Sequence, residues 1–340
     1  MVSTIAGPIF VFAVIVLVHE GGHFIAAKLM GMKVEEFSIG FGPMLSSIVK
    51  GGTRYSLRLL PLGGFNRIAG MDKEESSDED AFYRKSIWAR LLVISAGSGF
   101  NILLAFFIFF GAFLFEGIQT FPNIPVIGKV IEHTPAEKAG LQSGDRIVSI
   151  DGKPVSRWTD VGAIVSPLGG HITPVVIQRN EESMTLQVIP QNNEERRGIM
   201  GIAPYIETKS VGITDAAKLS LERCIFIFKM MTAGLWSLVT GESADVAGPI
   251  GVARMAGTVA VGGFLPLALF TALLSLNLGL LNLLPVPLLD GGLLVLTLIE
   301  GILGRELPKK ALYYIQGTGV ILLSMLFVYA LMNDISSLLK

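Results

Sequence analysis

The 340-residue chain is 51% hydrophobic and only 16% charged, against roughly 25% charged in an ordinary soluble domain. With a mean hydropathy of +0.60 it reads as a membrane-embedded protein. A formal net charge of −1 leaves no basic field for nucleic acid, and the single cysteine, Cys224, excludes an internal disulfide framework and a cysteine-based zinc cluster.

The first expected element is an apolar helix over 1–30. No Lys or Arg precedes its apolar run and no small-residue cleavage pattern closes it, so it reads as a retained transmembrane helix and not a secretory signal. Inside it stands "HEGGH". His19 and His23 are four residues apart, one helical turn, on one face. That spacing lets two imidazoles bind one metal ion, with Glu20 beside them as candidate base. Three ionisable groups at bilayer depth are expensive and point to function. Gly21 and Gly22 cost roughly 1 kcal/mol each inside a helix; room for a substrate backbone and close helix packing are equally good reasons for them.

Residues 31–90 carry Lys33, Lys50, Arg54, Arg58, Arg67, Lys73, Arg84, Lys85 and Arg90. By the positive-inside rule this loop is cytosolic, as is the one holding Arg305, Lys309 and Lys310. Within it, "GGTRYSLRLLPLGGF" is a strand-like run bracketed by Gly51-Gly52 and Gly63-Gly64. It reads as a β-hairpin, either a surface hairpin with no catalytic part or one with Leu57 and Leu59 on an edge able to capture an unwound strand by strand addition. The acidic run Asp72–Asp80 reads as a solvated loop.

A second span is expected over 91–115, where "LLVISAGSGFNILLAFFIFFGAFLF" has no charge. Residues 125–205 alternate short β-type runs with turn signals, Asp151-Gly152 and Asn180–Ser183 among them. They read as an extracytoplasmic α+β domain. Residues 206–262 read as a peripheral, interfacial segment, since Cys224–Val239 is interrupted by Lys229 and Gly234.

A third span is expected over 263–300 and a fourth over 312–333. The third places Asn277, Asn282 and Asp290 amid leucines, with Pro285 and Pro287 breaking the helical bonding before Asp290. Unpaired backbone at that depth must face protein or a water-filled cavity. Asp290 is the only carboxylate of "NLLPVPLLDGG" and can complete a two-His, one-carboxylate zinc site with water in the fourth position. Zinc would lower its water's pKa from about 15.7 towards 7, and Glu20 would serve as general base.

These residues resemble the site-2 proteases, intramembrane zinc metalloproteases of the M50 type, and within them the bacterial RseP-type proteases of regulated intramembrane proteolysis. The likeness rests on "HEGGH", "FSIGFGP" (37–43), "PLGGF" (61–65), "GPIGVA" (248–253) and "NLLPVPLLDGG" (282–292). It implies zinc on His19, His23 and Asp290, catalysis by Glu20, and a membrane-associated β-hairpin region within 31–90. Substrate contact is implied for Asn282, and the substrate-binding set expected with it is Pro285, Pro287, Gly63 and Gly64. It implies a multi-pass protein of the bacterial plasma (inner) membrane, acting on membrane-protein substrates such as single-span anti-sigma factors or signal-peptide remnants. "PAEKAGLQSGDRIVSIDGKPV" is similar to a PDZ domain. Only one such domain is expected, where the enterobacterial type has two, and it is expected to gate substrates by size. The family's Gly-Pro-x-x-Asn reads Gly97-Ser98-Gly99-Phe100-Asn101 here. The other readings are a catalytically inactive PDZ-bearing membrane adaptor, and a transporter, which would need paired inverted repeats that are absent.

Overall fold

The computed structural model describes residues 2–71, 78–193, 196–241 and 248–339. Most of the acidic run, residues 72–77, lies outside them. Contacts divide the chain into one unit of Met1–Phe113 with Ile213–Lys340 and another of Leu114–Gly212. Four described helices are long and apolar enough to cross a bilayer: Ala6–Leu29, Ile87–Glu116, Phe264–Asn282 and Lys310–Ser336.

Helix α1 (Val2–Leu29) leads into β1 (Val34–Lys50) and β2 (Thr53–Ile68), and α2 (Ile87–Glu116) follows. Gly51 and Gly52, at φ 57° and 73°, make the two-residue turn that joins the strands. The strands are longer than the glycine-bracketed run suggests, because β2 continues through Gly63-Gly64. They also bend, so that Ser38 lies between Phe65 on one side and Ser56 on the other. Leu57 therefore has Ile39 and Ser46 as its two neighbours and is interior to the sheet. The expected edge at Leu57 is thus corrected: Gly64–Arg67 pairs on one side only, with Glu36–Ile39.

A buried polar knot holds the bend. Glu36 accepts from Ser56 Oγ at 2.6 Å and Arg58 Nη2 at 2.7 Å, while Arg58 Nη1 donates to Gly42 O at 3.0 Å. Burial opposes the charge on Glu36, yet the Ser56 and Arg58 hydrogen bonds hold its carboxyl below the ordinary value. One apolar cluster, Ala26, Ala27, Met32, Val34, Ile68, Phe82, Val93 and Ile94, welds the end of α1 to the sheet and to α2.

The Leu114–Gly212 unit begins with β3 (Ile118–Thr120), β4 (Ile127–Val130), α3 (Pro135–Lys138), β5 (Arg146–Ile150) and β6 (Lys153–Pro154). It continues through α4 (Trp158–Val165), β7 (Thr173–Arg179), β8 (Glu182–Val188), β9 (Gln191–Asn192), β10 (Gly198–Ile199), β11 (Ile202–Pro204) and β12 (Glu207–Lys209). A sheet of order β6-β5-β7-β8 packs over a core that includes Ile127, Ile147, Ile150, Val175, Ile177 and Val188. The Asp151-Gly152 and Asn180-Glu181 turns both sit at positive φ, as the turn signals indicated. At the root of the unit β3 pairs with β12.

The chain re-enters the first unit as α5 (Ile213–Thr240), α6 (Pro249–Val261), α7 (Phe264–Asn282), α8 (Asp290–Leu303) and α9 (Lys309–Leu339). Lys229 and Gly234 do not interrupt α5, because Cys224, Ile227 and Met231 pack it onto α2 and α7. The "GPIGVA" stretch opens α6, whose first N–H groups are capped by Asp334 of α9: Gly248 N at 2.8 Å, Ile250 N at 2.9 Å and Gly251 N at 3.1 Å. The element expected over 263–300 is two helices. Pro285 and Pro287 donate no N–H, and Leu288 sits at φ 77°, so regular bonding stops at Asn282 and restarts at Asp290. Arg90 of α2, buried against Glu300 of α8 at 3.2 Å, fixes the second piece; removing one member of such a pair costs about 3–5 kcal/mol.

Candidate metal centre

Helix α1 turns His19 and His23 to one side, their rings 4.8 Å apart and nearly perpendicular. Asp290, in the first turn of α8, meets them. The two Nε2 atoms are 3.2 Å apart, and each lies 3.3 Å from Asp290 Oδ2. Two ligands bound at 2.0–2.1 Å to a tetrahedral zinc stand about 3.3–3.4 Å apart. The three edges of the triad match that spacing. Asp290 Oδ2 is buried and accepts no hydrogen bond, so the site leaves a buried acceptor for a cation. The residues fit zinc.

Local sequence explains the placement. A Cβ on Gly97 would run into both imidazoles, so only glycine lets α2 pass behind them. A Cβ on Gly22 would lie 2.5 Å from Ala96 O, whereas one on Gly21 would meet nothing within 4 Å. Gly22 is therefore a packing glycine, and Gly21 faces open space. After Asp290, Gly291 and Gly292 admit the backbone of Leu283, Leu284 and Val286 against the first turn of α8. The loop folds back and aims the carboxylate.

A second layer orients these groups. His23 Nδ1 donates to Val93 O at 2.8 Å, which leaves Nε2 with its lone pair for a metal. His19 Nδ1 lies 3.4 Å from the Asn101 amide, and Asn282 Nδ2 lies 3.3 Å from His19 Nε2. Asn66 of β2 donates to Glu20 Oε2 at 2.9 Å and also to the Glu20 carbonyl.

His19, Glu20, His23, Asn282 and Asp290 thus converge. Gly64 joins them, since a Cβ there would sit 3.8 Å from Glu20 Cγ. Gly63, at φ 121°, packs instead against the Phe41 ring. Pro287 borders a cavity of about 660 Å³ that also touches Asn66 and Asp290, while Pro285 is exposed on the loop. His133 and His171 belong to the other unit. Asn66 carried no role in the sequence reading; a polar residue in an apolar strand after "GGF" was its one signal.

A metal-binding triad with its two histidines on a helix of membrane-spanning length, and its carboxylate at the start of the 14-residue α8, is what a membrane-embedded zinc metalloprotease requires. The model of Peptidase family M50 matches residues 8–326, and the chain belongs to that family. It is 34% identical over 330 residues to a putative zinc metalloprotease of Clostridium acetobutylicum, covering 96% of each chain. A putative zinc metalloprotease of Rickettsia conorii is 35% identical over 357 residues, covering 98% of this chain and 99% of that one. The regulator of sigma-W protease RasP of Bacillus subtilis is 29% identical over 421 residues, with 99% of each covered. Among solved structures, the PDZ domain of an SdrC-like protein from Listeria monocytogenes matches 26% of this chain and 93% of its own, at 15% identity and a TM-score of 0.22. The protein is accordingly a multi-pass membrane zinc metalloprotease.

Proposed function

We propose that the protein is an intramembrane endopeptidase that hydrolyses peptide bonds within transmembrane segments of other membrane proteins. The observation that carries this reading is the convergence of His19, His23 and Asp290, 3.2–3.3 Å apart, from helices of one apolar unit. The substrates in this reading are single-span proteins such as anti-sigma factors, which the sigma-W regulator among its relatives supports, or signal-peptide remnants. By the positive-inside rule both basic loops are cytosolic, in the bacterial plasma membrane.

His19 Nε2, His23 Nε2 and Asp290 Oδ2 would hold the zinc, which when bound would lower the pKa of water towards about 7 and polarise a peptide carbonyl. Glu20 takes the proton of the attacking water on Oε1, the oxygen that Asn66 does not hold, and passes it to the leaving amine. Asn282 donates to the scissile carbonyl oxygen, where negative charge develops. A helical substrate hides its peptide bonds. The Gly64–Arg67 edge of β2, pairing on one side only and tied to Glu20 through Asn66, captures the unwound strand by β-addition. Gly21 leaves open space on the helix that carries the base.

Membrane proteomics tests the reading. Cells carrying the Glu20→Gln form should accumulate truncated single-span proteins that disappear when the active form is restored. An unchanged membrane proteome would count against a role in clearing such segments.

Residues 125–205 form a PDZ-type gate that excludes substrates with large ectodomains. Deleting 125–205 behind a short Gly/Ser linker leaves both strands of the β3–β12 ladder to close the gap. Zinc content should be unchanged and untrimmed substrates should now be cut. Loss of cleavage of a trimmed substrate by a folded deletion protein would make the domain a recruiter instead.

A further inference from the structure

A neutral imidazole has one N–H and one lone pair, so a histidine that gives Nε2 to a metal must carry its proton on Nδ1 and find an acceptor for it. His23 has one, the Val93 carbonyl at 2.8 Å. Among the described residues His19 has no backbone acceptor at Nδ1. The group facing it is the side-chain amide of Asn101, with Nδ2 at 3.4 Å. In that orientation two donors confront each other. At the same time Asn101 Oδ1, on a residue with no exposed surface, has no hydrogen-bond partner. The O and N of a carboxamide are assigned from their surroundings. A half-turn of the Asn101 amide places Oδ1 against His19 Nδ1–H and gives both groups a partner.

The residue is held for that task. Its backbone carbonyl accepts from Ser275 Oγ at 2.8 Å, which pins this turn of α2 to α7. Ser98, one turn earlier, offers a second buried hydroxyl that lacks a partner.

We propose that Asn101 is a positioning residue for the metal centre: its Oδ1 accepts from His19 Nδ1 and so fixes the tautomer and ring direction that aim Nε2 at zinc. The proposal rests on His19 being a zinc ligand through Nε2. It assigns the last residue of the Gly97–Asn101 stretch a function distinct from the close packing that Gly97 provides.

The test is zinc affinity of the full-length protein in detergent, measured by competition with a chromogenic chelator, for the unmodified chain, Asn101→Leu, Asn101→Asp and His19→Gln. Leu removes the acceptor at similar size and should weaken zinc about 10–100-fold, the usual loss for an outer-shell partner. Asp keeps the acceptor and should bind zinc at least as tightly as the unmodified chain. Equal affinity for Asn101→Leu, or an Asn101→Asp as weak as Asn101→Leu, would overturn the proposal, the second by showing that the amide N–H is what matters. Full affinity in His19→Gln would instead overturn the metal-site reading on which this rests. Should a variant fail to fold, NMR of the unmodified zinc-loaded protein decides. The proposal requires the His19 Nδ1–H to be hydrogen-bonded, its proton shifted downfield and slow to exchange with solvent, and a rapidly exchanging Nδ1–H without that shift refutes it.

Discussion

Asp290→Ala is expected to lose zinc and all proteolysis while the chain remains inserted in the membrane. Asp290 is the only carboxylate of the triad, and without it two imidazoles from one helix are left to hold the ion. The loss should exceed the 10–100-fold typical of removing a group behind a ligand. Insertion should survive because α8 is anchored by other means. Leu293 and Leu294 pack against the cluster around Phe82 and Val93, and Arg90 holds Glu300. Metal content of the purified variant checks the result. Full zinc occupancy would remove Asp290 from the ligand set.

Glu20→Gln gives the second large effect, and in the opposite pattern. Glutamine keeps the size of the side chain, and its carbonyl oxygen can still accept from Asn66, whose amide lies 2.9 Å from Glu20 Oε2. It cannot take a proton from water. Zinc should remain at one ion per chain, and turnover should fall by the 10²–10⁴-fold typical of a lost general base, or more. Near-normal cleavage by this variant would mean that another residue accepts the proton.

The two variants separate holding the metal from using it, and both positions were readable before any fold was known. His19 and His23 are legible because a helix sets their spacing. Asp290 is legible because a lone carboxylate among leucines beside two prolines has few other reasons to be there. The supporting groups were not legible. Asn66 meets Glu20 across 46 residues of sequence, and Asn101 meets His19 across 82. No local pattern encodes such pairings.

The sheet shows the same limit. Gly51-Gly52 announced a turn, but which strand lies at the edge depends on a bend held by Glu36, Ser56 and Arg58. That placed Leu57 inside the sheet and left Gly64–Arg67 at the edge. Likewise the prolines at 285 and 287 announced a break, while the contribution of Gly291 and Gly292 in folding the loop onto α8 emerged only from the packing. The segment around Cys224–Val239, read as an interfacial helix and not a span, is helical and is not among the described helices apolar enough to cross a bilayer, but it runs as one helix over Ile213–Thr240, packed through Cys224, Ile227 and Met231.

The most direct measurement is the position of the cut. A single-span substrate reconstituted in liposomes with the zinc-loaded protein should yield fragments whose new ends, read by mass spectrometry, lie inside the apolar segment, and the Glu20→Gln form should yield none. Fragments ending only in the water-exposed flanks, or identical fragments from Glu20→Gln, would contradict intramembrane hydrolysis at this site.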